Sequence, residues 1–206
     1  MRRKLVTGGL LLMTVLFIQA CGRKLEPEEP CNFVQNSQMQ RVSWKDRMPV
    51  KLYIHASVPT QYYSSIELAV DQWNRAMGRE MMRIELTGVS GDNIPKRDGA
   101  SMIYWLNQWE DDRRTEQART TVYWTGDRIY EADIRINGEF FSFYGGDGAE
   151  SFSGVDMESL MVHEFGHVMG LSHNGDKGSV MAVTLSSGTL RRTPGKDDLD
   201  SLRCEY

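Results

Sequence analysis

The eleven residues from His163 to His173 constrain this chain more than any other segment, and they read H-E-x-x-H-x-x-G-x-x-H. On a helix, His163 and His167 project from one face a single turn apart, so both imidazoles can bind the same metal ion. Gly170 can adopt the left-handed conformation that ends a helix, which lets His173 turn back as a third ligand. The segment therefore predicts a helix that ends at a metal site.

Three imidazole ligands indicate a catalytic zinc ion, because catalytic zinc keeps a fourth position open for water. Glu164 adjoins the first ligand and points toward that position, where a general base would accept a proton from water. The alternative is an ordinary amphipathic helix whose histidines are solvated and bind no metal. Three of the chain's four histidines occupy the three ligand positions, which favours the metal site. The fourth, His55, is interpreted as an ordinary strand residue.

The extended motif resembles the signature of the metzincin clan of zinc peptidases. Met181 follows the third histidine after a short stretch and corresponds to the methionine turn of that clan. Its thioether is expected to pack beneath the ligands without binding the metal. Astacin-like and serralysin-like members have a tyrosine two residues later, where this chain has Val183. Matrixins are therefore the most similar branch, and the likeness spans roughly residues 50–206.

This resemblance implies an α+β protein with the metzincin (zincin-like) fold. A mixed, twisted five-stranded sheet would accompany an active-site helix, a long N-terminal helix and a short C-terminal helix. Hydrophobic periodicity independently predicts elements in a compatible order. The predicted strands are 50–55, 82–86, 101–105, 119–125 and 132–137, and the predicted helices are 61–77 and about 156–169. The tail 196–202 resembles the short C-terminal helix of matrixins, so the resemblance implies a third helix there.

The resemblance also implies a zinc-dependent endopeptidase acting on extended protein or peptide substrates, with Glu164 assisting the attack of a zinc-bound water. A substrate would pair with the fourth strand, the antiparallel edge of the cleft, through backbone hydrogen bonds. The residues expected to form this edge are Thr120, Thr121, Val122, Tyr123 and Trp124. Simple packing within the sheet is the alternative for Tyr123 and Trp124.

Two other functions stay open. The chain could be a catalytically weak surface lipoprotein of metzincin fold that acts as a binding module, or a zinc hydrolase for a non-peptide amide. The intact Glu164 favours the peptidase. The chain also departs from the matrixin pattern, since it shows no cysteine-switch propeptide and no second histidine set for a structural zinc. The acidic loop at 145–150 could bind Ca²⁺, although a solvated turn is the simpler interpretation.

The first twenty residues resemble a lipoprotein signal peptide. Three basic residues at positions 2–4 precede an apolar run too short to span a bilayer comfortably. Ile18-Gln19-Ala20-Cys21 then resembles a lipobox, which implies cleavage before Cys21 and its lipidation. An ordinary secretory signal with a coincidental cysteine is the alternative. We expect a lipid anchor in a bacterial envelope, in the outer membrane if the host has one, facing the periplasm or the exterior.

The chain divides into a signal peptide (1–20), a polar tether (21–41) and one domain (42–206), and we expect a monomer. Loss of the first twenty residues would remove three basic groups, taking the net charge from −4 to about −7. An acidic protein has no general attraction for nucleic acid, so we expect no nucleic-acid partner.

Cysteine usage agrees with export. If Cys21 carries lipid, Cys31 and Cys204 remain, and an oxidising compartment would favour a disulfide between them. The alternative is that the thiolate of Cys31 binds the zinc and inhibits the enzyme, but no motif around this residue supports it.

Overall fold

The computed structural model describes residues 26–145 and 153–206. The proposed signal peptide, the lipidation site Cys21 and nearly all of the acidic loop lie outside these ranges, so the expectations for them stay predictions. Within the described ranges, no helix is long and apolar enough to cross a membrane.

A mixed sheet of five strands forms one layer of the fold, as expected. In sheet order the neighbours are β2, β1, β3, β5 and β4, and only the β4–β5 pair is antiparallel. The strands are β1 Val50–His55, β2 Met82–Val89, β3 Ser101–Leu106, β4 Ala118–Thr125 and β5 Arg128–Asn137. β5 begins four residues before the prediction, because the turn at Gly126 (φ 64°) lets Arg128 pair at once with Thr125. A second, two-stranded sheet joins β6 (Phe143–Tyr144) to β7 (Val155–Asp156) and was not predicted.

The long N-terminal helix α1, Tyr63–Met77, packs its apolar face on the active-site helix α2, Met157–Val168. Trp73 is fully buried between them and donates from Nε1 to the carbonyl of Val162 at 2.9 Å. α1 ends at Gly78 (φ 69°), as predicted, but it starts later than predicted, because residues Thr60–Tyr62 form a 3₁₀ turn. The short C-terminal helix α3, Lys196–Arg203, completes the expected set.

A buried carboxylate caps the start of α2. Asp156 accepts from the backbone N–H of Ser159 at 2.8 Å and from the guanidinium of Arg192 at 2.9 and 2.5 Å. Burial alone would raise the pKa of Asp156, but the bonds from Arg192 and Ser159 outweigh it and lower that pKa. The helix therefore begins at a fixed, charged anchor.

The expectation of a tether through residue 41 is wrong for the part that the structure describes. Phe33 is only 4% exposed, forms a β-bridge with Leu171, and packs on the ring of Tyr206 with centroids 5.9 Å apart. Cys31 is joined to Cys204 by the expected disulfide, so it is not a free thiolate directed at the metal. The polar composition suggested a linker, but the burial of Phe33, the disulfide at Cys31 and backbone hydrogen bonds such as that from Val34 to Gly170 hold this segment on the domain.

Two buried carboxylates lie on the sheet face away from the helices. Asp133 accepts from the backbone N–H of Met102 at 3.0 Å, and Glu131 accepts from that of Gly99. One oxygen of each carboxylate has no hydrogen-bond partner within the described residues. Burial, together with the neighbouring charges of Glu131 and Asp98, raises the pKa of Asp133 to about 7.

Asp133→Asn should stabilise the protein at alkaline pH. The pKa of Asp133 in the folded state lies above its ordinary value of 3.8, so ionisation of this carboxyl destabilises the fold. The loss of stability grows as the pH rises from about 4 to about 7, and it is complete at higher pH. The amide keeps the acceptor for Met102 without the charge. Urea unfolding should show a gain of roughly 1–3 kcal/mol at pH 8 that vanishes near pH 4. The control Asp46→Asn, at an exposed site, should gain nothing, and a less stable Asp133→Asn at pH 8 would contradict the argument.

Candidate metal centre and cleft

Three histidine side chains converge beyond the C-terminal half of α2. The Nε2 atom of His167 lies 3.2 Å from Nε2 of His163 and 3.2 Å from Nε2 of His173. Among the described residues, these three form the only group of three or more histidine, cysteine or carboxylate side chains close enough to share one ion. The structure thus brings together the three ligands that the motif predicts.

Backbone carbonyls orient two of these rings. Nδ1 of His163 lies 2.7 Å from the carbonyl oxygen of Val180, and Nδ1 of His167 lies 2.8 Å from that of Leu171. A carbonyl can only accept, so each Nδ1 carries the proton and each Nε2 presents a lone pair. The 3.2 Å contact between these Nε2 atoms therefore joins two acceptors, and a cation between them would relieve the repulsion.

The spacing and the protonation state both suit zinc. Tetrahedral Zn²⁺ with Zn–N bonds of about 2.0–2.1 Å requires nitrogen–nitrogen distances of roughly 3.3 Å, close to those observed. Burial lowers the pKa of both His163 and His167 to about 4. Both rings are therefore neutral at pH 7, the form that binds a metal.

The position of His173, the third candidate ligand, depends on a turn that only glycine accommodates well. Gly170 follows α2 with φ 97°, in the left-handed region, and a Cβ atom there would overlap the carbonyl oxygen of Val42. The chain can therefore reverse and return His173 to the other two histidines. This is the role that the sequence predicts for Gly170.

Glu164 lies beside the ligands in a nearly water-free position. It is 4% exposed, and its Oε2 accepts a hydrogen bond from Oγ1 of Thr120 at 2.6 Å. Burial raises the pKa of Glu164, while His167 and the bond from Thr120 act in the opposite direction. The sequence predicts only a backbone role for Thr120, because no local pattern shows which strand residue faces the helix.

Met181 lies under the helix, as expected for a methionine turn. Its side chain is fully buried, and its sulfur occupies the space that a Cβ atom on Gly166 would need. Asp198 of α3 holds the turn, since it accepts from the hydroxyl of Ser179 and, at 3.1 Å, from the backbone N–H of Val180. The sequence does not predict the roles of Gly166 and Asp198, because both residues act through contacts between segments that are distant along the chain.

A cleft of about 820 Å³ opens over the histidines and Glu164. Its lining includes residues of β4, the last strand of the sheet, and residues 182–185. Thr120, Val122 and Trp124 line the cleft, whereas Thr121 and Tyr123 do not. The guanidinium of Arg97 lies 5.7 Å from the ring of Tyr123, so this aromatic packs on the other face, and only Trp124 reaches the cleft.

Comparison with known proteins points to one family. The family model for matrixin peptidases (Peptidase_M10: Matrixin) matches residues 49–206. Metalloendoproteinase 1 of Glycine max is 37% identical over 54 residues, which cover 26% of this chain and 18% of that protein. Metalloendoproteinase 5-MMP of Arabidopsis thaliana is 36% identical over 52 residues, covering 25% of this chain and 14% of that protein. The chain thus spans less than a fifth of the length of the curated relatives that it matches.

Gly170→Ala should cost more stability than Gly78→Ala. Both glycines have positive φ, which disfavours any Cβ by about 1–2 kcal/mol. At Gly78 no atom lies within 4 Å of the added methyl, whereas at Gly170 the methyl overlaps a backbone carbonyl. We expect Gly170→Ala to lose roughly 1–3 kcal/mol more in urea unfolding, and to bind zinc more weakly. Equal losses in the two variants would show that the close approach of Val42 is unimportant.

Proposed function

The chain belongs to the matrixin family, and we propose that it is a zinc-dependent endopeptidase that hydrolyses peptide bonds in extended protein or peptide substrates. The convergence of three histidine Nε2 atoms beside the buried Glu164, at the floor of a cleft, carries this proposal. The membership of the family favours zinc as the metal.

His163, His167 and His173 would hold the metal through Nε2. A bound zinc ion lowers the pKa of a water molecule and polarises the carbonyl of the scissile bond. The protein contributes orientation, because the carbonyls of Val180 and Leu171 fix two of the rings before the metal arrives.

Glu164 would transfer the proton. Its carboxylate is withdrawn from bulk water, and its raised pKa makes it a better base than a solvated carboxylate. It would accept the proton from the attacking water and deliver it to the departing amine nitrogen. The hydroxyl of Thr120 holds one carboxylate oxygen, which leaves the other for this transfer.

The edge of β4 would bind the substrate. A peptide lying in extended form along this strand would accept and donate backbone hydrogen bonds, while its side chains alternate between the cleft and solvent. The half-exposed Val34 and Trp124 and the exposed Val183 line the same cleft, so apolar side chains of the substrate would find partners there.

We also propose that the protein works at a bacterial envelope, attached through lipid on Cys21. The lipobox-like sequence supports this location, and so does the Cys31–Cys204 disulfide, since disulfides persist in oxidising compartments. Cys21→Ser should move the protein from the membrane fraction to the soluble exported fraction. Cys31→Ser serves as the control that keeps the membrane location, and an unchanged distribution of Cys21→Ser would exclude the anchor.

Glu164→Ala should retain zinc and lose turnover by about 10²- to 10⁴-fold, whereas His163→Ala should lose both zinc and turnover. Metal content per protein and cleavage of a quenched fluorescent peptide measure the two properties. His55→Ala is the matched histidine control, because His55 bonds to Ser57 and Gly91 away from the site and should leave the metal content unchanged. Cleavage by Glu164→Ala at the parental rate would exclude Glu164 as the base.

A digest of a proteome-derived peptide library separates the peptidase from the alternatives. We expect cleavage that a chelator abolishes and that added zinc restores. Chelator-resistant cleavage would contradict the metal mechanism. Zinc binding without any cleavage would instead favour a binding module or a hydrolase for a different amide.

A further inference from the structure

His173 is the least supported of the three candidate ligands. It is exposed, and within the described residues its ring has no carbonyl partner like those that orient His163 and His167. An exposed imidazole without such a partner can rotate and move with its backbone. Its position at the metal site therefore depends on how residues 172 and 174 are held.

On the C-terminal side of His173, the methionine turn holds the backbone. The N–H of Asn174 donates to the carbonyl of Met181 at 2.8 Å, and Asn174 forms a β-bridge with Ala182. This contact comes from the same segment that carries the carbonyl partner of His163.

On the N-terminal side of His173, a distant part of the chain holds the backbone. The N–H and the hydroxyl of Ser172 donate to the carbonyl of Asn32 at 2.8 and 2.9 Å. The side-chain amide of Asn32 donates back to the carbonyl of Ser172 at 3.0 Å. Two residues separated by 140 positions thus form a reciprocal pair immediately before the third ligand.

The contact continues along the next two residues. Phe33 bridges to Leu171, and the N–H of Val34 donates to the carbonyl of Gly170 at 2.9 Å. Leu171 also supplies the carbonyl that orients His167. Residues 31–34, which we call the N-terminal clamp, therefore contact the segment that positions two of the three ligands.

The backbone of the clamp is itself unusual. Cys31 and Asn32 both have positive φ, 45° and 61°, a conformation that non-glycine residues adopt rarely and at a cost. Such residues persist only where their surroundings hold them. Here the disulfide to Cys204 holds Cys31, and the pair with Ser172 holds Asn32.

We propose that the N-terminal clamp positions the third metal ligand, with Asn32 as the positioning residue and the Cys31–Cys204 disulfide as its anchor. The proposal rests on the proposed function, since it assumes that a metal binds at the three histidines. The clamp then affects metal affinity and coordination geometry without touching the metal.

Asn32→Gly tests the role of the side chain. Glycine tolerates the positive φ, so the backbone can stay while the amide donor is lost. Asn36→Gly is the matched control, because Asn36 donates to the carbonyl of Gly126, away from the site. We expect zinc affinity, measured by competition with a chromogenic chelator, to fall roughly tenfold in Asn32→Gly and to change less than about twofold in Asn36→Gly.

With Co²⁺ in place of zinc, the visible absorption spectrum reports the coordination geometry of the metal, and a general loss of stability would not change it. Tetrahedral Co²⁺ absorbs visible light more strongly than Co²⁺ with five or six ligands. Asn32→Gly should show a weaker visible band, since a loosely held His173 admits additional water ligands, while Asn36→Gly should keep the parental band.

The double variant Cys31→Ser, Cys204→Ser tests the anchor. We expect it to lose at least as much zinc affinity as Asn32→Gly. Thermal unfolding shows whether this variant folds, and if it does not, Asn32→Gly, which keeps the disulfide, decides the question.

Different results would contradict the clamp and the proposed function. If the parental protein binds zinc and Asn32→Gly matches Asn36→Gly in both affinity and Co²⁺ spectrum, the clamp is overturned while the proposed function stands. If the parental protein binds no metal at the histidines, the proposed function is overturned as well.

Discussion

Two hydrogen bonds from imidazole to backbone decide what the site can do. The Nδ1–H groups of His163 and His167 donate to the carbonyls of Val180 and Leu171, which leaves both Nε2 lone pairs aimed at one point. Without these bonds either tautomer would be available, and the 3.2 Å contact between the rings could be an ordinary hydrogen bond. With them, the site is a set of acceptors that suits a cation.

The carbonyls of Val180 and Leu171 must in turn be held in place, and contacts from several parts of the domain do so. Asp198 on α3 supports the turn that carries Val180, and Met181 fills the space beside Gly166. At the other end of α2, Asp156 and Arg192 fix the first turn of the helix. At the C-terminal end of α2, the carbonyl of Val168 accepts from the indole of Trp44 at 2.7 Å. The carbonyl of Met169 accepts from the hydroxyl of Tyr206 at 2.8 Å. The helix α2 is thus restrained at both ends and beside Gly166, which keeps His163 and His167 in register with His173.

The fold was largely predictable from the sequence, because the periodicity of apolar residues that marks each helix or strand lies within that element. Alternating apolar residues identified β1, the apolar stripe identified α1, and each element exists within a few residues of its expected bounds. The errors occurred where tertiary contacts override local composition. The segment before residue 42 is polar enough to read as a linker, yet burial of Phe33 and the disulfide at Cys31 hold it on the domain. The short sheet of β6 and β7 has two residues in each strand, too few for any periodicity to indicate.

The sequence alone determined which side chains could bind a metal and which carboxylate lies next to them, because helical spacing and a glycine turn are properties of consecutive residues. It also indicated the edge strand, through the family resemblance. Only the tertiary structure decided that Thr120 holds Glu164, that Arg97 covers Tyr123 while Trp124 reaches the cleft, and that Asn32 pairs with Ser172 beside the third ligand. Each of these contacts joins residues at least 25 positions apart, and no periodicity in the chain encodes which of them meet. Their partners are set by how the helices pack on the sheet and by where the disulfide holds the N-terminal segment.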